Sequence, residues 1–225
     1  ISTYLETLKT SSIASDAKKK QKGNYFESNF NYGLTLNRLN QNFQPSSGYK
    51  TTFAQVLPIY ADDMSVVNSF NISRYFSPNE NTIFSLKFLA ETVTSLSGDD
   101  VRVSKRLYLP SKRLKGFEAG RVGPKDGADF IGGNYATALN FATTLPGLLP
   151  DLENIDFSFF VDAGNVWGVD YSDTLSDSSK IRSSTGLAID WLTPIGPLSF
   201  SFAQALTKAD TDKTETFRFD IGTTF

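Results

Sequence analysis

Apolar and polar residues alternate with period two along almost the whole chain, and the alternating runs are long. Phe26, Phe30, Tyr32, Leu34 and Leu36 fall on one face of an extended segment, with Glu27, Asn29, Asn31, Thr35 and Asn37 on the other. The chain closes in the same way: Phe217, Phe219, Ile221 and Phe225 share one face, while Arg218, Asp220, Gly222 and Thr224 share the opposite one. Helical spacing of apolar residues is almost absent. The pattern predicts about ten strands, over 2–13, 24–39, 48–60, 65–76, 81–96, 131–145, 154–167, 181–192, 197–207 and 215–225. Globular strands run to about 5–6 residues, whereas a tilted strand that crosses a bilayer needs about 9–11. A soluble domain rarely ends on a strand with an aromatic outer face. A membrane barrel does, because lipid covers that face and the lumen accepts the polar one. The expected fold class is therefore all-β, an antiparallel transmembrane β-barrel, in a single unit over 1–225.

Composition narrows the function classes. The chain has 225 residues, with Lys+Arg 22 against Asp+Glu 24 and a net charge of -2, which argues against a nucleic-acid partner. Cys and His are both absent, so no disulfide, thiolate, Ser-His-Asp or Cys-His arrangement can form. No enzymatic role, cofactor or metal is expected. Asp170, Asp173 and Asp177 lack the Gly-punctuated loop of a Ca²⁺ site. No window approaches the roughly 18 apolar residues of a membrane helix. Lys18-Lys-Lys-Gln-Lys22 reads as a solvated loop, with lipopolysaccharide phosphates as the alternative contact. The chain starts at Ile1 without a leader and reads as part of a longer, processed polypeptide.

Connections sort by side. Thr193–Pro197, Ser77–Glu80 and Pro45–Gly48 are compact and rich in Pro and Gly, whereas 168–180, 208–214 and above all 97–130 are long. Short turns on one side and long loops on the other fit an outer-membrane barrel. Trp167, Trp191, Tyr60, Tyr75 and Tyr171 lie near predicted strand ends, where amphipathic rings favour the membrane interface.

The long connection carries Leu114-Lys-Gly-Phe117, Val122-Gly-Pro124 and Gly132-Gly-Asn134. Further on come Phe160-Val-Asp-Ala-Gly-Asn-Val-Trp167 and Trp191-Leu-Thr-Pro-Ile-Gly-Pro-Leu198. In this order and spacing they resemble the BamA-like family of outer-membrane barrel-assembly factors (bacterial surface antigen type). The resemblance is dense from Leu114 to the end and looser before it. It implies a sixteen-stranded barrel of which this chain supplies the C-terminal strands, with the first strands and the periplasmic POTRA domains lying outside it. It implies localisation in the bacterial outer membrane, unfolded outer-membrane proteins as clients, and accessory lipoproteins bound through the POTRA domains.

The resemblance also implies that the long loop folds into the lumen, where a basic residue meets acids on the wall. Here the loop motif is Leu114, Lys115, Gly116 and Phe117, and the wall partners are Asp162 and Asn140. The alternation independently points Asp162 inward. The family has Arg at the loop position and a second acid at the wall. Lys115 suits one carboxylate plus an amide oxygen, without the planar fork of Arg. The terminal strand, with Phe217, Phe219, Ile221 and Phe225, is expected to serve as assembly signal and as one lip of a lateral seam. Related autotransporter-assembly or two-partner secretion transporters, a passive channel and an outer-membrane enzyme are the alternatives. The loop motif argues against a simple channel, and the lack of His argues against the known outer-membrane hydrolases.

Overall fold

A computed structural model describes all residues except 43, 99, 149–153, 170–174, 176, 195 and 222–225. Its strands in chain order are β1 (Ser2–Leu8), β2 (Gly23–Asn37), β3 (Gly48–Ala61), β4 (Ser65–Asn79) and β5 (Thr82–Ser95). Two-residue strands β6 (Lys125–Asp126) and β7 (Asp129–Phe130) follow, then β8 (Tyr135–Leu145), β9 (Ile155–Trp167), β10 (Arg182–Thr193), β11 (Gly196–Thr207) and β12 (Phe217–Ile221). Ten strands form one antiparallel sheet in the order β1-β2-β3-β4-β5-β8-β9-β10-β11-β12, and β6 pairs only with β7. The sheet is open: β1 and β12 are its two edges. No described helix is long and apolar enough to cross a membrane.

The outer face is apolar over its full height. Leu34, Leu86, Leu139, Phe159, Leu187, Phe202 and Phe217 are all exposed there. The aromatic rings pair across strands, Phe200 with Phe219 at 4.8 Å between centroids and Phe202 with Phe217 at 5.0 Å. Such a face is stable only against lipid. Trp167 stacks on Tyr135 at 5.7 Å near the long-loop end of the wall. Tyr75 departs from the interface expectation. It shares the inward phase of Asn71 and Ser73 and lines the lumen, with the Lys87 ammonium 5.8 Å from its ring centroid.

The inner face divides by height. Toward the long-loop end its side chains are small: Ala136, Ala138, Gly164, Ser184 and Ala203. Onto them packs the long β5–β8 connection, whose Leu109, Leu114, Phe117 and Val122 join Leu89 and Val166 in the main buried cluster. The fit is tight, since a Cβ on Gly164 would lie 2.9 Å from Leu109 Cδ1. Toward the short-turn end the face is polar and surrounds a cavity of about 880 Å³ lined by Ser85, Lys87, Asp156, Ser158, Asp190 and Ser201, among others.

Two expected boundaries are corrected. The first strand stops at Leu8 rather than running to 13, and a short helix α1 follows at Asp16–Lys20, where Ser15 accepts from the Lys18 amide at 3.4 Å. Lys9-Thr10-Ser11-Ser12 carries no apolar alternation, and Ser12 and Ile13 sit in a turn. The strand expected from 131 begins at Tyr135 instead. Ile131 is fully buried, yet it belongs to the loop, and Gly133 bridges to Leu107 through bonds of 2.8 and 3.0 Å. Burial of the loop, not strand pairing, selects the apolar residues there. The Lys18–Lys22 run is not simply solvated, since Lys18 pairs with Asp129 at 3.3 Å and Lys19 with Asp16 at 3.6 Å.

Candidate functional site: a lumen loop locked to the barrel wall

Gly116 has a φ of +87°, and a Cβ there would lie 3.1 Å from Ala203 Cβ and 3.3 Å from Ser184 Cβ. Only glycine combines that backbone angle with so close an approach to the wall. The turn it makes presents Lys115 to β9 and drives Phe117 into the core, where it is 1% exposed. Asn140 and Asp162 are directly paired across β8 and β9, both on the inner face. The structure therefore brings together the expected loop motif and both wall residues.

The contacts form a network. The Lys115 ammonium lies 2.8 Å from Asp162 Oδ2 and 4.0 Å from the Phe160 ring centroid. The Lys115 amide donates to the same oxygen at 3.1 Å, and Asn140 Nδ2 donates to Asp162 Oδ1 at 2.7 Å. Asp162 is wholly buried, and both of its oxygens are satisfied. A buried carboxylate held by an ammonium and two N–H donors is far more constrained than an exposed pair worth about 0–1 kcal/mol.

One expectation is revised. Lys115 does not take the Asn140 amide oxygen. Arg113 does: its guanidinium donates to Asn140 Oδ1 at 3.2 Å and to Asn71 Oδ1 on β4 at 2.8 Å. Asn140 Nδ2 in turn donates to the Arg113 carbonyl at 2.9 Å. A fork-shaped cation is thus present two residues upstream of Lys115, and it reads two amides where Lys115 reads the acid.

Two further buried charge clusters went unnoticed in the sequence. Glu27, on the inner face of β2 and 1% exposed, pairs with Arg102 and Lys105 of the loop and accepts from Tyr4 at 2.6 Å. Glu6 on β1 meets Arg102 at 3.3 Å. At the other end of the wall, Arg182 forks onto Asp212 at 2.8 and 3.0 Å, both side chains fully buried, and also donates to Asn165. For Glu27 and Arg182 the available signal was phase, an inward position beside Asn29 and Ser184 respectively, whereas Arg102, Lys105 and Asp212 lie in loops and follow no period. Among the described residues no group of three or more His, Cys, Asp or Glu could hold a metal. Asp170 and Asp173 lie outside the described residues, and Asp177 instead accepts from the Gly168 amide at 2.9 Å.

Of the terminal strand, Phe217, Phe219 and Ile221 point outward and pair with Phe202, Phe200 and Leu198. Phe225 lies outside the described residues. Among the described residues the β12 ladder with β11 runs over Phe217–Ile221, and its other edge is the edge of the sheet.

An open, lipid-faced antiparallel wall with a long loop locked inside its lumen defines one half or more of an outer-membrane β-barrel. Residues 2–225 match the Omp85 superfamily domain, and the chain belongs to that superfamily. It is 30% identical over 217 residues to the outer membrane protein assembly factor BamA of Neorickettsia risticii (strain Illinois), covering 94% of this chain and 29% of that protein. It is 25% identical over 236 residues to BamA of Neisseria meningitidis serogroup B, covering 86% of this chain and 28% of that one. The sorting and assembly machinery component 50 homolog of Bos taurus is 25% identical over 171 residues, 72% of this chain and 36% of that protein. Among solved structures, BamA from Haemophilus ducreyi lacking POTRA domains 1–3 superposes with a TM-score of 0.80 at 26% identity, covering 88% of this chain and 42% of that one. The chain thus spans under two thirds of each of these relatives. Its place is the outer membrane.

Proposed function

We propose that this chain is the C-terminal part of the barrel of an outer-membrane assembly factor, and that the whole protein folds and inserts other barrel proteins through a lateral seam at its last strand. The observation that carries the reading is the lumen loop locked by Lys115 and Asp162 and bonded to the segment before β12, the strand whose outer edge would meet the first strand of the whole barrel. When that seam opens, its exposed edge offers unpaired N–H and C=O groups to an incoming strand. In hydrocarbon each unpaired backbone group costs several kcal/mol, so a ready template lowers the barrier to strand insertion. The work is templating rather than covalent chemistry, and no cofactor takes part. The partners are the lipid bilayer, unfolded outer-membrane proteins as clients, and accessory lipoproteins held through POTRA domains upstream of this segment.

The test uses the full-length protein in lipid vesicles with an unfolded client barrel, and reads the client's heat-modifiable gel shift. A disulfide from Phe219→Cys to the first strand of the barrel is expected to leave this protein folded and to stop client insertion. Normal insertion by a fully crosslinked barrel refutes the seam.

A further inference from the structure

The segment just before β12 is bonded to the lumen loop as well as to its neighbour in the wall, where the Ala203 amide donates to the Thr216 carbonyl at 2.8 Å. The Glu118 amide donates to the Lys213 carbonyl at 3.0 Å, the Glu215 amide to Gly116 at 3.1 Å, and the Lys213 amide to Arg121 at 3.2 Å. Phe117 and Thr214 face each other across this short antiparallel ladder. Arg218, on the inner face of β12, reaches back along it: its Nη2 donates to the Phe117 carbonyl at 3.3 Å, and Nη2 and Nε both pair with Glu215.

Both partners in this ladder are fixed from behind. The loop arm leaves directly from Lys115, whose ammonium is held by Asp162. The 208–216 connection is folded inward by Asp212, which takes the Arg182 fork and the Ala209 amide at 2.7 Å. At its other end β12 holds to the wall through the ladder, Asp220 with Ser199 and Ile221 with Leu198. The Phe217 end is therefore held by the wall and the loop together, and the described part of the Ile221 end by its wall ladder.

We propose that the return arm of the lumen loop, Gly116–Arg121, is a clamp that positions the seam strand, with Arg218 as its positioning residue. The clamp anchors the Phe217 end of β12, so the seam opens from the Ile221 end. The inference rests on the assembly reading above and assigns the lumen loop a specific task within it. The lock at Asp162 is then one half of a tether whose other half is the seam strand itself.

The experiment uses the full-length protein in lipid vesicles. Amide exchange is followed across 213–221, and client insertion is measured in parallel. Arg218→Gln removes the charge-assisted bond to Phe117 and the pair with Glu215, so exchange at Thr214–Phe217 is expected to speed up by about tenfold or more while the barrel keeps its heat-modifiable fold. Client insertion is expected to fall, with partial recovery in Arg218→Lys. This segment has no native Cys, and with any Cys elsewhere in the full-length protein replaced, a pair at Glu118→Cys and Lys213→Cys can reconnect the arm. That crosslink should restore slow exchange and insertion to Arg218→Gln.

Unchanged exchange at Thr214–Phe217 in Arg218→Gln overturns the clamp, and so does a crosslink that fails to rescue. Should Arg218→Gln not fold, the same crosslink in the unsubstituted protein decides. Continued insertion supports a standing clamp, and loss of insertion shows that the arm must separate. A wild-type protein that inserts no client defeats the assembly reading alone, because the exchange rates still judge the clamp.

Discussion

Removing either member of the Lys115–Asp162 pair should destabilise the barrel, but by unequal amounts. Lys115→Met keeps most of the stem volume and strips the charge. It leaves the Asp162 carboxylate fully buried with only the residue 115 amide and Asn140 as donors. Breaking a buried pair in this direction costs about 3–5 kcal/mol, and the two remaining donors place the expected loss near the lower value. Asp162→Asn instead strands the ammonium. Lys115 is 18% exposed beside the polar cavity and over the Phe160 ring, so it can turn to water. The loss there is one charge-assisted bond and one backbone acceptor, about 1–2 kcal/mol. The double variant should lie close to Asp162→Asn alone, because no buried charge is left over. Denaturant unfolding of the vesicle-embedded protein, read by the heat-modifiable gel shift, gives the cycle. Equal single losses, or additivity within about 0.5 kcal/mol, would show that the two groups are independently solvated.

Other outcomes follow from the same geometry. Phe200→Arg, on the lipid face and stacked on Phe219, should cost about 2–4 kcal/mol by the same unfolding measurement, and Ser201→Arg, which faces the cavity, clearly less. Equal costs would mean that both faces share one environment. Gly116→Ala forces a side chain into a φ of +87° against Ala203, and a loss of about 1–3 kcal/mol is expected; a neutral change would refute the close approach. Asp129 accepts from the Ser15 amide at 3.0 Å and from Lys18, and these bonds hold its carboxyl below the usual range. A depressed folded value stabilises above the ordinary carboxylate pKa of about 4, and that contribution is lost as pH falls through the folded value. Exchange at Ser15–Lys20, corrected for its intrinsic rate, should therefore rise at low pH in the wild type but not in Asp129→Asn.

The strands were legible because a bilayer imposes one rule on every outward position. Leu34, Leu86, Leu139, Leu187 and Phe217 all obey it, so period two survives along each wall segment. The rule fails where the solvent changes. Residues 9–13 lie beyond the membrane-facing part of β1, and nothing there needs a sheet. Ile131 is as buried as any wall residue but is covered by the loop and its neighbours, so apolarity at that position carries no information about strand pairing. A loop that fills a lumen has an inside of its own, and its residues follow no period.

The same distinction explains what could be read of the site. Asp162 announced itself by phase, an acid at an inward position of β9, and Lys115 through the resemblance of Leu114–Phe117 to the family's loop motif. Arg113 gave no such sign, since its role depends on where a 3₁₀ turn at Ser111–Arg113 aims the side chain across the lumen to Asn71 and Asn140. Yet Arg113 gives the Lys115 and Asn140 departures a physical account. With an amide at residue 140 instead of a second acid, one cation suffices for Asp162, and the Asn140 oxygen is left for a separate donor. Lys115 takes the acid and Arg113 the amides, so the geometry of a single forked cation is distributed over two residues. On this account Lys115→Arg gains nothing unless Asn140 becomes acidic, and Arg113→Met should loosen Asn140 first. The Asn140→Glu, Lys115→Arg double variant should recover stability that each single change loses. Strict additivity of the two in the unfolding assay would show that residues 115 and 140 are uncoupled and that no charge exchange links them.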